Sequence, residues 1–199
     1  MKEILALELW KQLMLLAPLG CVLIAAAITD AMHRKVYNKL TYPAFVVGLI
    51  LHTVAMGVDG LLSGLGGGGL IFIIGLLTLP TGWMRAGDIK LLMVVGATLG
   101  LKATGQVFFY ATLVGFVMGV GRALLAGYLL EIFRRLWAIV KGYFYYLVYR
   151  TKNLVPKVEE DERSMIPFAI AILGGGILTL CEFLYGVPSL LTHYASALQ

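Results

Sequence analysis

Asp30 and Asp88 are the residues of this chain best suited to hydrolytic chemistry. Asp30 ends the apolar run Ala25-Ala26-Ala27-Ile28-Thr29. Asp88 stands in Trp83-Met84-Arg85-Ala86-Gly87-Asp88-Ile89-Lys90, where one apolar stretch stops and another begins. A carboxylate at the end of a membrane-spanning segment is costly to keep there and is usually functional. Two carboxylates brought together cannot both ionise cheaply, so they share a proton. The ionised acid can then take a proton from water while the protonated one donates to a carbonyl oxygen. Such a pair hydrolyses an amide with no covalent intermediate, no metal and no cofactor. A Ser/His/Asp alternative has no comparable support, because His33, His52 and His193 show no nucleophile-and-acid constellation around them. Cys21 and Cys181 lie alone in apolar runs without a Cys-x-x-Cys pair, so they read as packing residues.

For this chemistry the surrounding elements must hold both acids at one membrane face. The chain is 199 residues long, 60% hydrophobic and 14% charged, with a mean hydropathy of +0.89. A soluble domain of this size needs a far more polar surface, so the expected class is an all-α, polytopic membrane protein. Uncharged stretches, judged against the roughly 20 residues that cross a bilayer, predict six transmembrane helices: 12–29, 40–58, 61–83, 89–101, 103–130 and 165–191. Arg34, Lys35 and Lys39 follow the first, Arg85 and Lys90 flank Asp88, and seven basic residues crowd the segment between the fifth and sixth. Positive charge stays inside, which predicts a multi-pass cell-membrane protein with Asp30 and Asp88 at the cytoplasmic face. The formal charge of +5 thus reports topology rather than nucleic-acid binding. Glu3 and Glu8 dilute the charged start, so the first segment does not read as a cleavable signal.

The remaining segments read as scaffold. Ser63-Gly64-Leu65-Gly66-Gly67-Gly68-Gly69 lacks the Gly-Lys-Ser/Thr ending of a phosphate loop and opens an apolar span, which predicts close helix packing. Gly174-Gly175-Gly176 is expected to do the same. Residues 131–150 carry an apolar side interrupted by Arg134, Arg135 and Lys141, with Trp137 and four tyrosines, as an interfacial amphipathic helix would. The whole chain, 1–199, is expected to form one membrane domain, with 131–163 as a cytoplasmic loop containing that helix. The acidic cluster Glu159-Glu160-Asp161-Glu162 reads as solvated loop.

Three places resemble the type IV prepilin peptidases, membrane aspartyl proteases of the Gly-x-Gly-Asp class. Asp30-Ala31-Met32-His33-Arg34-Lys35-Val36-Tyr37-Asn38-Lys39-Leu40-Thr41 resembles the family's first motif, an aspartate before a basic turn and an Ile-Pro-Asn-x-Leu-Thr-like stretch. Gly87-Asp88-Ile89-Lys90 resembles the second, and Ile166-Pro167-Phe168-Ala169 the entry into the last span. The resemblance implies Asp30 and Asp88 as the catalytic dyad, with Lys35, Asn38, Gly87, Lys90 and Pro167 as supporting motif residues. It also implies a prepilin-like precursor as partner, its basic leader in the cytoplasm and its hydrophobic helix in the bilayer beside the enzyme. Glu159 to Glu162 would be one attraction for that leader. The chain looks like the short form without a methyltransferase region, similar to Tad/Flp-pilus and archaeal preflagellin peptidases. Two departures stand out: Tyr37 occupies a common proline position, and Arg85 the first motif glycine. Arg85 is expected to point to lipid headgroups.

Other classes compete with this reading. A transport subunit would place Asp30, Asp88 and Glu182 on an ion path, but no inverted repeat is visible and Glu182 is expected at the outer headgroups. A non-catalytic assembly subunit is favoured by Arg85 alone. The signal-peptide-peptidase type carries Tyr-Asp and Pro-Ala-Leu signatures, where this chain has Thr29-Asp30 and Ile166-Pro167-Phe168.

Overall fold

In the computed structural model, residues 9–79, 84–125 and 167–184 are described, with isolated positions 127, 134, 137 and 141. The predicted amphipathic stretch and the acidic cluster fall almost wholly outside them. Four helical elements follow in order: α1 (Leu9–His33), α2 (Asn38–Thr78), α3 (Ala86–Leu125) and α4 (Phe168–Leu184). No strand occurs among the described residues. α1, α2 and α3 are each long and apolar enough to cross a membrane.

α2 and α3 are not straight rods. At 41 residues, a straight α2 would run about 60 Å, twice the hydrocarbon core of a bilayer. Gly57, at φ 69° and ψ −147°, breaks it, in a backbone region that glycine enters without a Cβ clash. Beyond the break the chain folds back on itself. A Cβ built on Gly64 would lie 3.0 Å from Leu49, and one on Gly68 3.0 Å from Phe45. Positions rising on one arm thus meet positions falling on the other, which is the signature of an antiparallel helical hairpin.

Gly100, at φ 79° and ψ 176°, breaks α3 in the same manner. The Gly96 carbonyl and the Thr104 hydroxyl stand 2.8 and 2.9 Å from one point, the position of a Cβ on Gly67. Eight residues of straight helix would hold them about 12 Å apart. The backbone freed at this break is satisfied in part by Ser63, whose Oγ accepts from the Leu101 N–H at 3.2 Å.

The glycine run is a helix crossing. Gly64 faces the Ala97 carbonyl and Gly67 that of Gly96, each at 2.8 Å from a would-be Cβ. Without side chains between them, the second arm of α2 and the first arm of α3 approach backbone to backbone. Gly175 plays the same part in α4, 2.5 Å from the Ala111 nitrogen by the same measure. α1 packs against both α2 and α4. Leu15, Leu91, Leu92, Val95, Val107 and Ile172 are buried in the core, while Ile50, Phe72, Ile73 and Phe116 stay exposed. An apolar outer surface of this kind suits a lipid solvent.

The chain divides into two compact units, Met1–Gly115 with Pro167–Gln199, and Phe116–Ile166. The described part of the second comprises the end of α3 and a few single residues, among them Lys141, whose Nζ sits 5.7 Å over the Trp137 ring. The first unit contains both Asp30 and Asp88. Its two helix breaks lie at one end, where His52, Ser63 and Gly100 meet. The end of α1 and the starts of α2, α3 and α4 gather at the other.

Candidate active site

α1 stops where it does because Arg34 adopts a left-handed conformation, φ 53°, and donates its N–H to the Asp30 carbonyl at 2.8 Å. That position is usually glycine. The chain crosses to α2 through Lys35, Val36 and Tyr37, and Tyr37 opens α2 by accepting from the Leu40 and Thr41 N–H groups at 3.0 and 3.2 Å. Arg85 opens α3 in the same way, accepting from Asp88 and Ile89. Pro167 opens α4, accepting from the Ile170 N–H at 3.1 Å.

The end of α1 and the starts of α2 and α3 surround one hollow of about 320 Å³, lined by Asp30 and Asp88 together with Arg34, Lys35, Asn38, Arg85 and Gly87. Both acids are buried, 3% and 4% exposed. Gly87 lets α3 sit close to the α1–α2 turn, since a Cβ there would lie 3.1 Å from the Val36 Cβ. The charges of Asp30 and Arg85 both act on Asp88.

Asp30 is further held from α4. Its Oδ2 accepts from the Ala169 backbone N–H at 3.1 Å, one of the helix-start donors that find no partner within their own helix. Pro167 therefore has a physical role. By fixing where α4 begins, it sets which N–H faces Asp30. Ala169 itself carries no side-chain chemistry, so the contact lies beyond a reading by residue type; proline at a helix start is the one local signal for it.

Lys90 and Asn38 bind each other rather than the acids. The Lys90 Nζ donates to Asn38 Oδ1 at 2.9 Å and lies 5.2 Å over the Tyr42 ring, tying the starts of α2 and α3 together. Lys35 is exposed at the rim of the hollow.

Two expectations need correction. Arg85 does not turn outward to the headgroups; it is half-buried, lines the hollow, and donates from Nη1 to the Arg34 carbonyl at 3.4 Å. The carbonyl of the left-handed Arg34 offers it an acceptor within the protein. Glu182 does not stand free at the outer surface either. Its Oε2 accepts from the Tyr110 hydroxyl at 2.6 Å, across a partly buried contact between α3 and α4. A carboxylate in an apolar bundle takes whatever donor the neighbouring helix presents.

Tyr37 proves compatible with the proline it replaces. Its φ of −79° lies inside the range a proline ring imposes, about −65 ± 15°. Tyr37→Pro is expected to leave the fold intact and change stability by no more than about 1 kcal/mol. The gain in chain stiffness is offset by loss of the edge contact between Tyr37 and His33. Denaturant titration of the purified variant in detergent checks this.

Among the described residues no three His, Cys, Asp or Glu side chains gather as metal ligands would. The arrangement is a buried carboxylate pair beside a solvent-sized hollow with cations at its rim. Residues 17–120, which include both acids, match the type IV leader peptidase family. A prepilin leader peptidase/N-methyltransferase of Bacillus subtilis (strain 168) is 27% identical over 175 residues, covering 87% of this chain and 56% of that protein. The chain thus spans a little over half the length of this relative. No solved structure matches. Since the family match extends over more than half of the 199 residues and includes both buried acids, the chain belongs to the type IV leader peptidase family.

Proposed function

We propose that this protein is an aspartyl endopeptidase of the inner membrane boundary that removes the leader from prepilin-like precursors. The observation that carries the reading is that Asp30 and Asp88, from different helices, line one hollow at the end of the bundle where Arg34, Lys35 and Arg85 gather. With α2 and α3 each folded at a glycine, the bundle crosses the membrane six times. The hollow then faces the cytoplasm, where positive loops remain.

One carboxylate takes a proton from a water in the hollow, and the hydroxide adds to the scissile carbonyl carbon. The other carboxylic acid gives its proton to the carbonyl oxygen. The tetrahedral intermediate collapses with cleavage of the C–N bond: the first acid returns its proton to the departing amine, and the second takes one back from a hydroxyl of the intermediate as the C=O bond re-forms. Each catalytic group therefore ends in the protonation state in which it began, and the pair is ready for the next turnover. The precursor's hydrophobic helix lies in the bilayer beside the bundle, so its leader junction reaches the depth of the acids.

The test is co-expression with prepilin-like precursors followed by sequencing of the mature N-termini. Cleavage at a single position at the start of the hydrophobic segment is expected. Precursors that stay intact beside well-expressed protein, across several candidates, would sink the proposal.

A further inference from the structure

A second concavity, of about 370 Å³, lies on the side of α3 turned away from Asp88. Ala86, Ile89, Lys90 and Met93 recur along α3 at three- and four-residue intervals and line it, whereas Asp88 sits nearly half a turn of helix away from that stripe. The facing wall is α2, with Phe45 from its first arm and Phe72 and Leu76 from its second. Tyr42, Phe72 and Leu76 are exposed at its edge, so the groove opens sideways from the bundle.

Two polar groups interrupt this apolar surface. The Lys90 ammonium sits at the groove with Asn38 and the Tyr42 ring as neighbours, and no acid pairs with it among the described residues. Thr41 also lines the groove; it is 1% exposed, and its Oγ1 has no hydrogen-bond partner. Elsewhere in the bundle Thr53, Thr98, Thr104, Thr112 and Thr179 each donate to a carbonyl one turn back. Thr41 does not, and a buried hydroxyl left without a partner calls for an explanation.

We propose that the groove holds one anionic phospholipid, its phosphate on Lys90, its ester region at Thr41 and an acyl chain between Phe45, Phe72 and Leu76. Charge complementarity selects this occupant. A cation at the end of an apolar slot between helices, on the face where basic residues gather, matches an anionic headgroup above a hydrocarbon chain. A precursor helix is the weaker match, because α3 separates the groove from the acids that precursor must reach.

Native mass spectrometry of protein released from bilayers of equal phosphatidylcholine and phosphatidylglycerol tests the site. Cleavage activity is not read, so the result is independent of the proposed function. Wild type is expected to retain one phosphatidylglycerol with about fivefold preference over phosphatidylcholine. Lys90→Gln should bring that ratio to about one while a lipid is still retained. Thr41→Val should lower retention of both lipids alike. Leu76→Trp, at an exposed position that fills the slot, should remove both. No headgroup preference in wild type, a preference that survives Lys90→Gln, or retention unchanged by Leu76→Trp would each reduce the finding to adventitious surface lipid and overturn the site. A photoreactive residue at position 76 that captures a precursor helix in place of lipid would overturn it as well.

Discussion

Replacing Asp30 or Asp88 by Asn is expected to lower precursor cleavage by about 10²- to 10⁴-fold, the usual contribution of a positioned general acid or base. Asn preserves size and leaves the surroundings nearly intact. At position 30 its side-chain oxygen can still accept from the Ala169 N–H, which lies 3.1 Å from Oδ2 in the parent. At position 88 the backbone N–H groups of the helix start donate to the Arg85 carbonyl, and the carboxylate's own hydrogen bond from the Arg85 backbone can pass to the Asn side-chain oxygen. Each variant should therefore fold, insert and bind precursor, and fail only at proton transfer. The double variant should be hardly worse than either single one, because two groups that act as a unit are not additive. Asp30→Ala offers a contrast. It strands the buried Ala169 donor, which costs about 1–3 kcal/mol, so it should lose stability as well as activity. The measurement is cleavage in membranes at matched expression, beside denaturant unfolding in detergent. Either Asn variant retaining near-parental cleavage, or a double variant far weaker than both singles, would remove the shared-proton mechanism.

Much of this site was legible because its acids break apolar runs. Solvation costs leave few reasons for Asp30 or Asp88 to stand at such boundaries, and both motifs lie in short continuous stretches. The pairing of Lys90 with Asn38 across 52 positions was not legible. Nor was the bond from Ala169 to Asp30 across 139, since a backbone donor leaves no mark in the sequence. The helix breaks show a subtler limit. Charge places them near Asp59 and Lys102, where water becomes available. The backbone turns two residues earlier in each case, at Gly57 and Gly100, because a positive φ combined with an extended ψ demands the residue without a Cβ. Composition finds the interface, whereas sterics choose the hinge. Arg85 misled for a related reason: its acceptor, the Arg34 carbonyl, is created by a left-handed residue on another helix.

Gly96→Ala is expected to destabilise the protein by roughly 3 kcal/mol, although alanine is the better helix former. A Cβ there would sit 2.5 Å from the Gly67 carbonyl carbon and 2.6 Å from the Gly68 nitrogen. Both obstacles are backbone, so no rotamer change relieves them and the two helices must separate. Gly69 makes the control. It lies in the same glycine run with nothing within 4 Å of a Cβ, so Gly69→Ala should stabilise by roughly 0.5–1 kcal/mol. The opposite signs separate helix crossing from helix propensity. Asp88 stands two turns from Gly96 on the same arm of α3, and Gly75 packs on Ile89 beside it. Separation at the crossing therefore moves one acid relative to the other, and Gly96→Ala should also lose cleavage while Gly69→Ala keeps it. Unfolding midpoints in a denaturing detergent, read beside cleavage in membranes, decide the matter. Equal effects from the two substitutions would mean that the glycine run does not set the spacing of the acid-bearing helix.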